Sequence, residues 1–459
     1  MGLKVYIFGE LLPMNGRETK KPSKEKTVGL ARLFGLSPRP SAALSQQPSR
    51  AVRKLISLCQ GLLSERGEVA GGYLAAEAIQ LYQSLQANEH RVFFELLLKE
   101  FSADPDEVIR AADDYRREQT PENLAYLQHV VEPPRQELFR RLNLAPGGTH
   151  VLIEMRHKVL RELVHSPRLE PVESDLGHLL VSWFNRGFLQ LRRIDWHTSA
   201  LVLEKLIEYE AVHQIQGWHD LRRRLEADRR CYAFFHPALP DEPIIFIEVA
   251  LTRGMSESVQ PLIDPEAPVL DPASADSAMF YSITNCQEGL RGVPFGSFLI
   301  KRVVEDLSAK FPRLKRFATV SPVPGFRRWL AENAPALDAN LLSKLEQPGW
   351  FDDAKISPEL EKALVPLCAR YLLHEKQNKE PLDSVARFHL KNGARLEKIN
   401  WLGDKSSTGM SRSAGLMANY VYRLGDVERN HELYTREFKV AASSEVQALA
   451  KQSNSLLKR

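Results

Sequence analysis

The chain has 459 residues, enough for two to four domains and a substantial core, which excludes a minimal peptide or a stapled module. Lys and Arg number 62 against 58 Asp and Glu, a formal charge of +4, so the strong basic excess of a nucleic-acid binder is missing. A hydrophobic content of 43% with 8% aromatic residues excludes a disordered chain.

The four cysteines, Cys59, Cys231, Cys286 and Cys368, are far apart and form no CxxC pair, so they read as reduced thiols of a cytosol-like compartment rather than as zinc ligands or a disulfide framework. The apolar runs Leu3–Phe8 and Pro243–Ile247 are too short for a signal-peptide core or a membrane span. No export or anchoring is expected, and the location expected is cytoplasmic.

Residues 1–49 combine Lys20, Lys21, Lys24 and Lys26 with Pro22, Pro38, Pro40 and Pro48 without an apolar period, and read as a basic, proline-containing arm. Residues 50–172 are helical in pattern. Val52, Leu55, Leu58, Leu62 and Leu63 form one stripe, with Gly67 expected as a left-handed helix end. Thr120-Pro121 places a capping hydroxyl before a first-turn proline, and Pro133-Pro134 and Gly147-Gly148 punctuate further helices. Five to seven helices are expected there, forming a domain with no chemistry of its own.

The pattern changes after Arg230. Tyr232–His236 and Ile244–Leu251 read as a hairpin, Met279–Thr284 and Arg316–Val320 as strands flanking a helix over 297–310, and Arg395–Trp401 and Met417–Tyr422 as closing strands. The fold class expected is an all-helical N-terminal domain followed by a mixed α/β domain over 173–459.

Three segments carry candidate chemistry. A strand from Phe280 runs into a loop with Gly289, Gly292 and Gly296 that opens a helix, whose unpaired N–H groups suit a phosphate; a plain strand-to-helix turn fits the glycines equally well. Neither a Walker A nor a dinucleotide fingerprint is present. Ser321 ends a β-run before Pro322 and Pro324, where ligands of α/β sheets commonly bind, though an ordinary turn has the same pattern and no GxSxG elbow surrounds it. His389 falls in the last turn of a short helix ending at Asn392-Gly393, a position that favours a protonated ring; a structural histidine is the alternative. No HExxH pattern or clustered carboxylate accompanies it, so no metal is expected.

In this order the three segments resemble the malonyl-CoA decarboxylase family. The resemblance is carried by Trp183–Phe188, Glu210–His213, Arg229–Tyr232, Phe280–Ile283, Gly296–Val304, Ser321–Phe326, Phe388–Ala394, Ile399–Trp401 and Gly415–Tyr420. It implies a catalytic domain similar to the GNAT acyltransferases, with coenzyme A pyrophosphate bound at the loop Arg291, Gly292, Val293, Pro294, Phe295, Gly296 and Ser297. That loop departs from the usual acyltransferase RxxGxG or RxxGxA spacing, and Pro294 stands where some relatives carry a carboxylate.

The resemblance further implies catalysis by Ser321, His389 and Tyr422. His389 is expected to protonate C2 of a thioester enolate, which calls for an ordinary or raised pKa, while Ser321 and Tyr422 hold the departing carboxylate or orient the histidine. Malonyl-CoA and acetyl-CoA are the expected partners, with no nucleic acid and no membrane. No cofactor is expected beyond the substrate's own coenzyme A, and a homo-oligomer, dimer or tetramer, is implied. An acyl-CoA-dependent N-acyltransferase on the same fold, or a non-catalytic CoA-binding interaction protein, are the alternatives.

Overall fold

A computed structural model describes residues 47–293, 295–333, 337 and 339–456. The expected arm lies outside them up to residue 46, as does Pro294. The chain divides into two compact units, one reaching Trp183 and including Glu288–Gly292, the other made of Phe184–Gln287 and Val293–Arg459. The sequence reading places its boundary at 172/173; the helix Glu170–Trp183 instead stays whole within the first unit.

In the first unit seven helices fill the span from Arg50 to Glu162, each started by local chemistry. Ser49 accepts from Val52 N–H at 3.2 Å, Asp104 from Asp106 N–H at 2.9 Å and Thr120 from Asn123 N–H at 3.2 Å, satisfying first-turn donors that would otherwise be orphaned. Val52, Leu55 and Leu62 enter one core with Phe93, Phe139 and Leu176. Gly67 does not end the first helix. Ser64 does, and Gly67 lies inside the next helix, Glu65–Ser84, where a Cβ would stand 1.9 Å from the Leu62 carbonyl oxygen. A close backbone approach, not a left-handed turn, requires glycine there.

The second unit is built on one eight-stranded sheet. Its strands are β1 (Gln190–Ile194), β2 (Arg229–His236), β3 (Leu239–Thr252), β4 (Ser277–Asn285), β5 (Arg316–Thr319), β6 (Ser321–Pro322), β9 (Arg395–Asn400) and β10 (Met417–Val421); β7 (Lys376–Gln377) and β8 (Glu380–Pro381) form a separate pair. Order runs β1-β2-β3-β4-β5-β10-β6, with β9 on β10. The expected hairpin is β2–β3, antiparallel, and its near-continuous burial reflects a sheet covered on both faces. β1 and the long helix Ile356–His374 had no clear signal in the sequence; Pro366 inside that helix obscures its period.

The pairing of β4 positions the site. It is parallel to β5 only from Ser277↔Arg316 to Phe280↔Thr319, while its pairing with β3 continues to Asn285. Beyond Phe280 the two strands part, and among the described residues no strand takes up that edge of β4. The helix Gly296–Lys310 follows β4, buries Leu299, Ile300, Val303, Val304 and Leu307, and returns the chain to β5.

Candidate active site

Ser321 sits where β5 gives way to β6, paired through Ala418 to β10. Alternation along this run places Thr319 and Ser321 on one face, and Ser321 Oγ donates to Thr319 Oγ1 at 2.9 Å. His389 arrives from the helix Ser384–Lys391. Asp383 caps that helix by accepting from Ala386 N–H at 2.9 Å, and Gly393 (φ 79°) ends it where a Cβ would meet the Val427 carbonyl oxygen at 2.2 Å. Tyr422 follows β10 directly and is anchored by its N–H to the Phe317 carbonyl at 2.8 Å.

These three residues, separated widely in sequence, meet. His389 Nε2 lies 3.1 Å from Ser321 Oγ, and His389 Nδ1 lies 2.8 Å from the Tyr422 hydroxyl. Since Ser321 donates to Thr319, the consistent set of donors is Tyr422 O–H to Nδ1, Nε2–H to Ser321, and Ser321 O–H to Thr319. Tyr420 stacks on the imidazole with centroids 4.6 Å apart and 24° between planes, and its N–H donates to Thr319 Oγ1 at 3.1 Å. Asn419, at a bulge in β10, donates to the Thr319 carbonyl at 2.7 Å and accepts from Asn400 at 2.8 Å. All of these side chains are buried.

Burial changes the electrostatics. Removal from water pushes the His389 pKa down to about 3, and no charged partner offsets the cost. The expectation of an ordinary or raised value is therefore corrected: helix-end stabilisation of a cation is overridden by desolvation, and the ring is neutral. The same burial pushes the Tyr422 hydroxyl well above its usual range, so it stays protonated.

The expected coenzyme A loop is divided between the two units. Arg291 and Gly292 (φ 84°) belong with the helices, where Arg156 of the helix Gly148–Glu162 donates to the carbonyls of Gly289 at 2.6 Å and Arg291 at 2.9 Å and pairs with Glu173 at 2.7 Å. Gly289 packs so closely on Ile153 that a Cβ would lie 2.0 Å from its carbonyl oxygen. Val293 and Phe295 are buried in the second unit, and Gly296 and Ser297 open the helix Gly296–Lys310 with no side-chain cap on its first turn.

Thr319, Tyr420, Asp383 and Arg156 escaped the sequence reading. Only Asp383 carried a local sign, an acceptor three residues before Ala386 at the start of an apolar period. A further buried ionic group lies under β3 and β4, where Arg224 pairs with Glu248 at 2.8 Å and Glu210 accepts from Ser282 at 2.7 Å. Burial there pushes Glu248 up to about 8.

Ser321, His389 and Tyr422 form one buried hydrogen-bonded line beside a parted pair of parallel strands, an arrangement able to pass a proton. Residues 187–458 match the malonyl-CoA decarboxylase C-terminal domain and residues 101–184 its N-terminal domain. The chain is 35% identical over 419 residues to a goose (Anser anser anser) mitochondrial malonyl-CoA decarboxylase, covering 82% of this chain and 83% of that one. It is also similar to crystal structures of malonyl-CoA decarboxylase from Rhodopseudomonas palustris (TM-score 0.84, 46% identity, 87% of this chain and 100% of that one) and Agrobacterium vitis (TM-score 0.83, 47% identity, 86% and 99%). The chain belongs to the malonyl-CoA decarboxylase family of carboxy-lyases.

Proposed function

We propose that this chain converts malonyl-CoA to acetyl-CoA and CO2 through a thioester enolate protonated at C2. The observation that carries the reading is the line Tyr422–His389–Ser321, which ends an ordered row of donors on the side where β4 and β5 part. The open edge of β4 beyond Phe280 suits an extended amide chain such as pantetheine, bonded as a strand would be. The first-turn N–H groups of the helix Gly296–Lys310 suit the pyrophosphate.

Loss of CO2 moves an electron pair from the C2–C3 bond onto the thioester, with charge on its oxygen. The thioester is itself the electron sink, so the chemistry needs no further cofactor. A neutral His389 offers no ion pair to hold the ground-state carboxylate, and the dry surroundings favour its departure as uncharged CO2. His389 then gives its Nε2 hydrogen to C2 while Nδ1 takes the Tyr422 hydrogen, so the ring passes a proton without becoming a cation. Ser321 and Tyr422 fix the ring and its tautomer.

Cytosolic operation is supported by the free thiols of Cys59, Cys231, Cys286 and Cys368. Among the described residues, no helix is long and apolar enough to cross a membrane. Assembly as a homo-oligomer is supported by Val69 and Tyr73, exposed on the helix Glu65–Ser84. The reading is tested by incubating the purified chain with malonyl-CoA: CO2 and acetyl-CoA in equal amounts support it, and intact malonyl-CoA overturns it.

A further inference from the structure

The reaction consumes one proton per turnover, yet His389 is buried and neutral, with both ring nitrogens already engaged. While the acyl group occupies the Nε2 edge beside Ser321, a replacement proton has to reach the ring from its other edge, which faces Tyr422. Tyr422 lines a small groove open to solvent, walled by Val304 of the helix Gly296–Lys310 and Val427 of the helix Leu424–Glu437. Its rim carries Lys301 and Glu428, exposed and 3.4 Å apart. Asn392 also lines it. This side chain is only 4% exposed, and its amide Nδ2 has no hydrogen-bond partner among the described residues. A buried donor without a partner costs free energy, which a single water admitted at the base of this largely apolar groove would offset.

We propose that this groove is the solvent route that resupplies the catalytic proton, with Asn392 as the positioning residue that holds the water serving Tyr422. The inference rests on the decarboxylase reading above. In the step, the Nε2–H bond breaks as C2–H forms, the Tyr422 O–H hydrogen passes to Nδ1, and the groove water gives a hydrogen to the phenolic oxygen. The hydroxide left behind carries the negative charge released with CO2. The resting tautomer returns when product departure admits water to Nε2.

The test uses the full-length chain with malonyl-CoA in H2O and D2O. Asn392→Leu keeps similar bulk and removes the amide. It is expected to lower kcat by about tenfold, the equivalent of one hydrogen bond, to leave KM within about twofold, and to raise the solvent deuterium isotope effect on kcat. Asn392→Ser, which keeps a polar atom in the groove, should recover most of that loss. Leu424→Trp narrows the mouth from a half-exposed position where folding is not at stake, and should lower kcat in the same direction. Unaltered kcat and isotope effect in Asn392→Leu and Leu424→Trp would overturn the route, as would a raised KM at constant kcat, which would give the groove to substrate. Absence of CO2 release by the wild type would instead overturn the decarboxylase reading.

Discussion

The Tyr422 hydroxyl lies 2.8 Å from His389 Nδ1, so a phenol rather than a carboxylate faces that ring nitrogen. A carboxylate at that position would stabilise an imidazolium; a phenol, itself buried and protonated, stabilises the neutral ring and can supply a hydrogen if the other nitrogen gives one up. In the proposed mechanism His389 is a relay rather than a stored cation.

The pH dependence separates these two kinds of acid. An imidazolium donor with an ordinary pKa would make kcat/KM fall about tenfold per pH unit above about 6.5, because that ratio follows the free enzyme. With His389 pushed down to about 3, kcat/KM for malonyl-CoA should show no such limb and stay level from pH 6.5 to about 8.5. A steady-state series in constant ionic strength checks this.

Removing one hydroxyl at a time dissects the line. Tyr422→Phe keeps the ring and loses the hydrogen that replaces the one His389 gives away, so kcat should fall by about 10² while KM stays within a few-fold. Ser321→Ala frees the imidazole to rotate and should cost about tenfold or more. The two losses combined should be smaller than their product, since both act through the same ring; the double variant measures this.

Acid stability carries the same signature. The unfolded chain binds a proton on His389 below about 6.5, whereas the folded chain resists it until about 3. The stability this residue contributes is thus present above 6.5 and is lost as pH falls through that window. His213, pushed to about 4 by burial, acts in the same direction, while Asp383, pushed up to about 6, and Glu248, up to about 8, act against it. The contribution of His389 is isolated as a difference. Between pH 6 and 4 the wild type should lose up to about 1.4 kcal/mol per pH unit more than His389→Gln, as read by urea unfolding.

Arg156 holds the segment Gly289–Arg291 within the helical unit. Its guanidinium donates to the Gly289 and Arg291 carbonyls and neutralises Glu173. Arg156→Met leaves those acceptors and the carboxylate without a partner and should destabilise by about 3 kcal/mol. Hydrogen exchange should accelerate at residues 289–292 before it does in the core helices, and mass spectrometry of the corresponding peptide reads it out.

The elements most legible in the sequence were those whose signal is local. Thr120 before Pro121, Asn392-Gly393, and the hairpin strands around Tyr232 and Ile247 each act through neighbours one to four positions away, so the pattern and the structure coincide. Ser321, His389 and Tyr422 became candidates together only through the family resemblance; nothing in their spacing says that they touch. Thr319 and Tyr420 were hidden because a strand residue's face is known only once the register of β10 on β5 and β6 is known. The neutral state of His389 was hidden for a related reason. Its position at a helix end is local and argues for a cation, whereas the burial that wins comes from β5, β10 and the Tyr420 ring. Gly67 shows the same limit, being read as a helix end when a tertiary approach to Leu62 is what it serves.

The most direct test is CO2 release from malonyl-CoA by the wild type and by His389→Asn, with melting temperature and malonyl-CoA binding measured on the same preparations. The account predicts one CO2 per acetyl-CoA from the wild type. It predicts turnover lower by about 10²–10⁴ in a folded His389→Asn protein whose binding stays within a few-fold. No CO2 from the wild type, or near-normal turnover per folded molecule in His389→Asn, would contradict it.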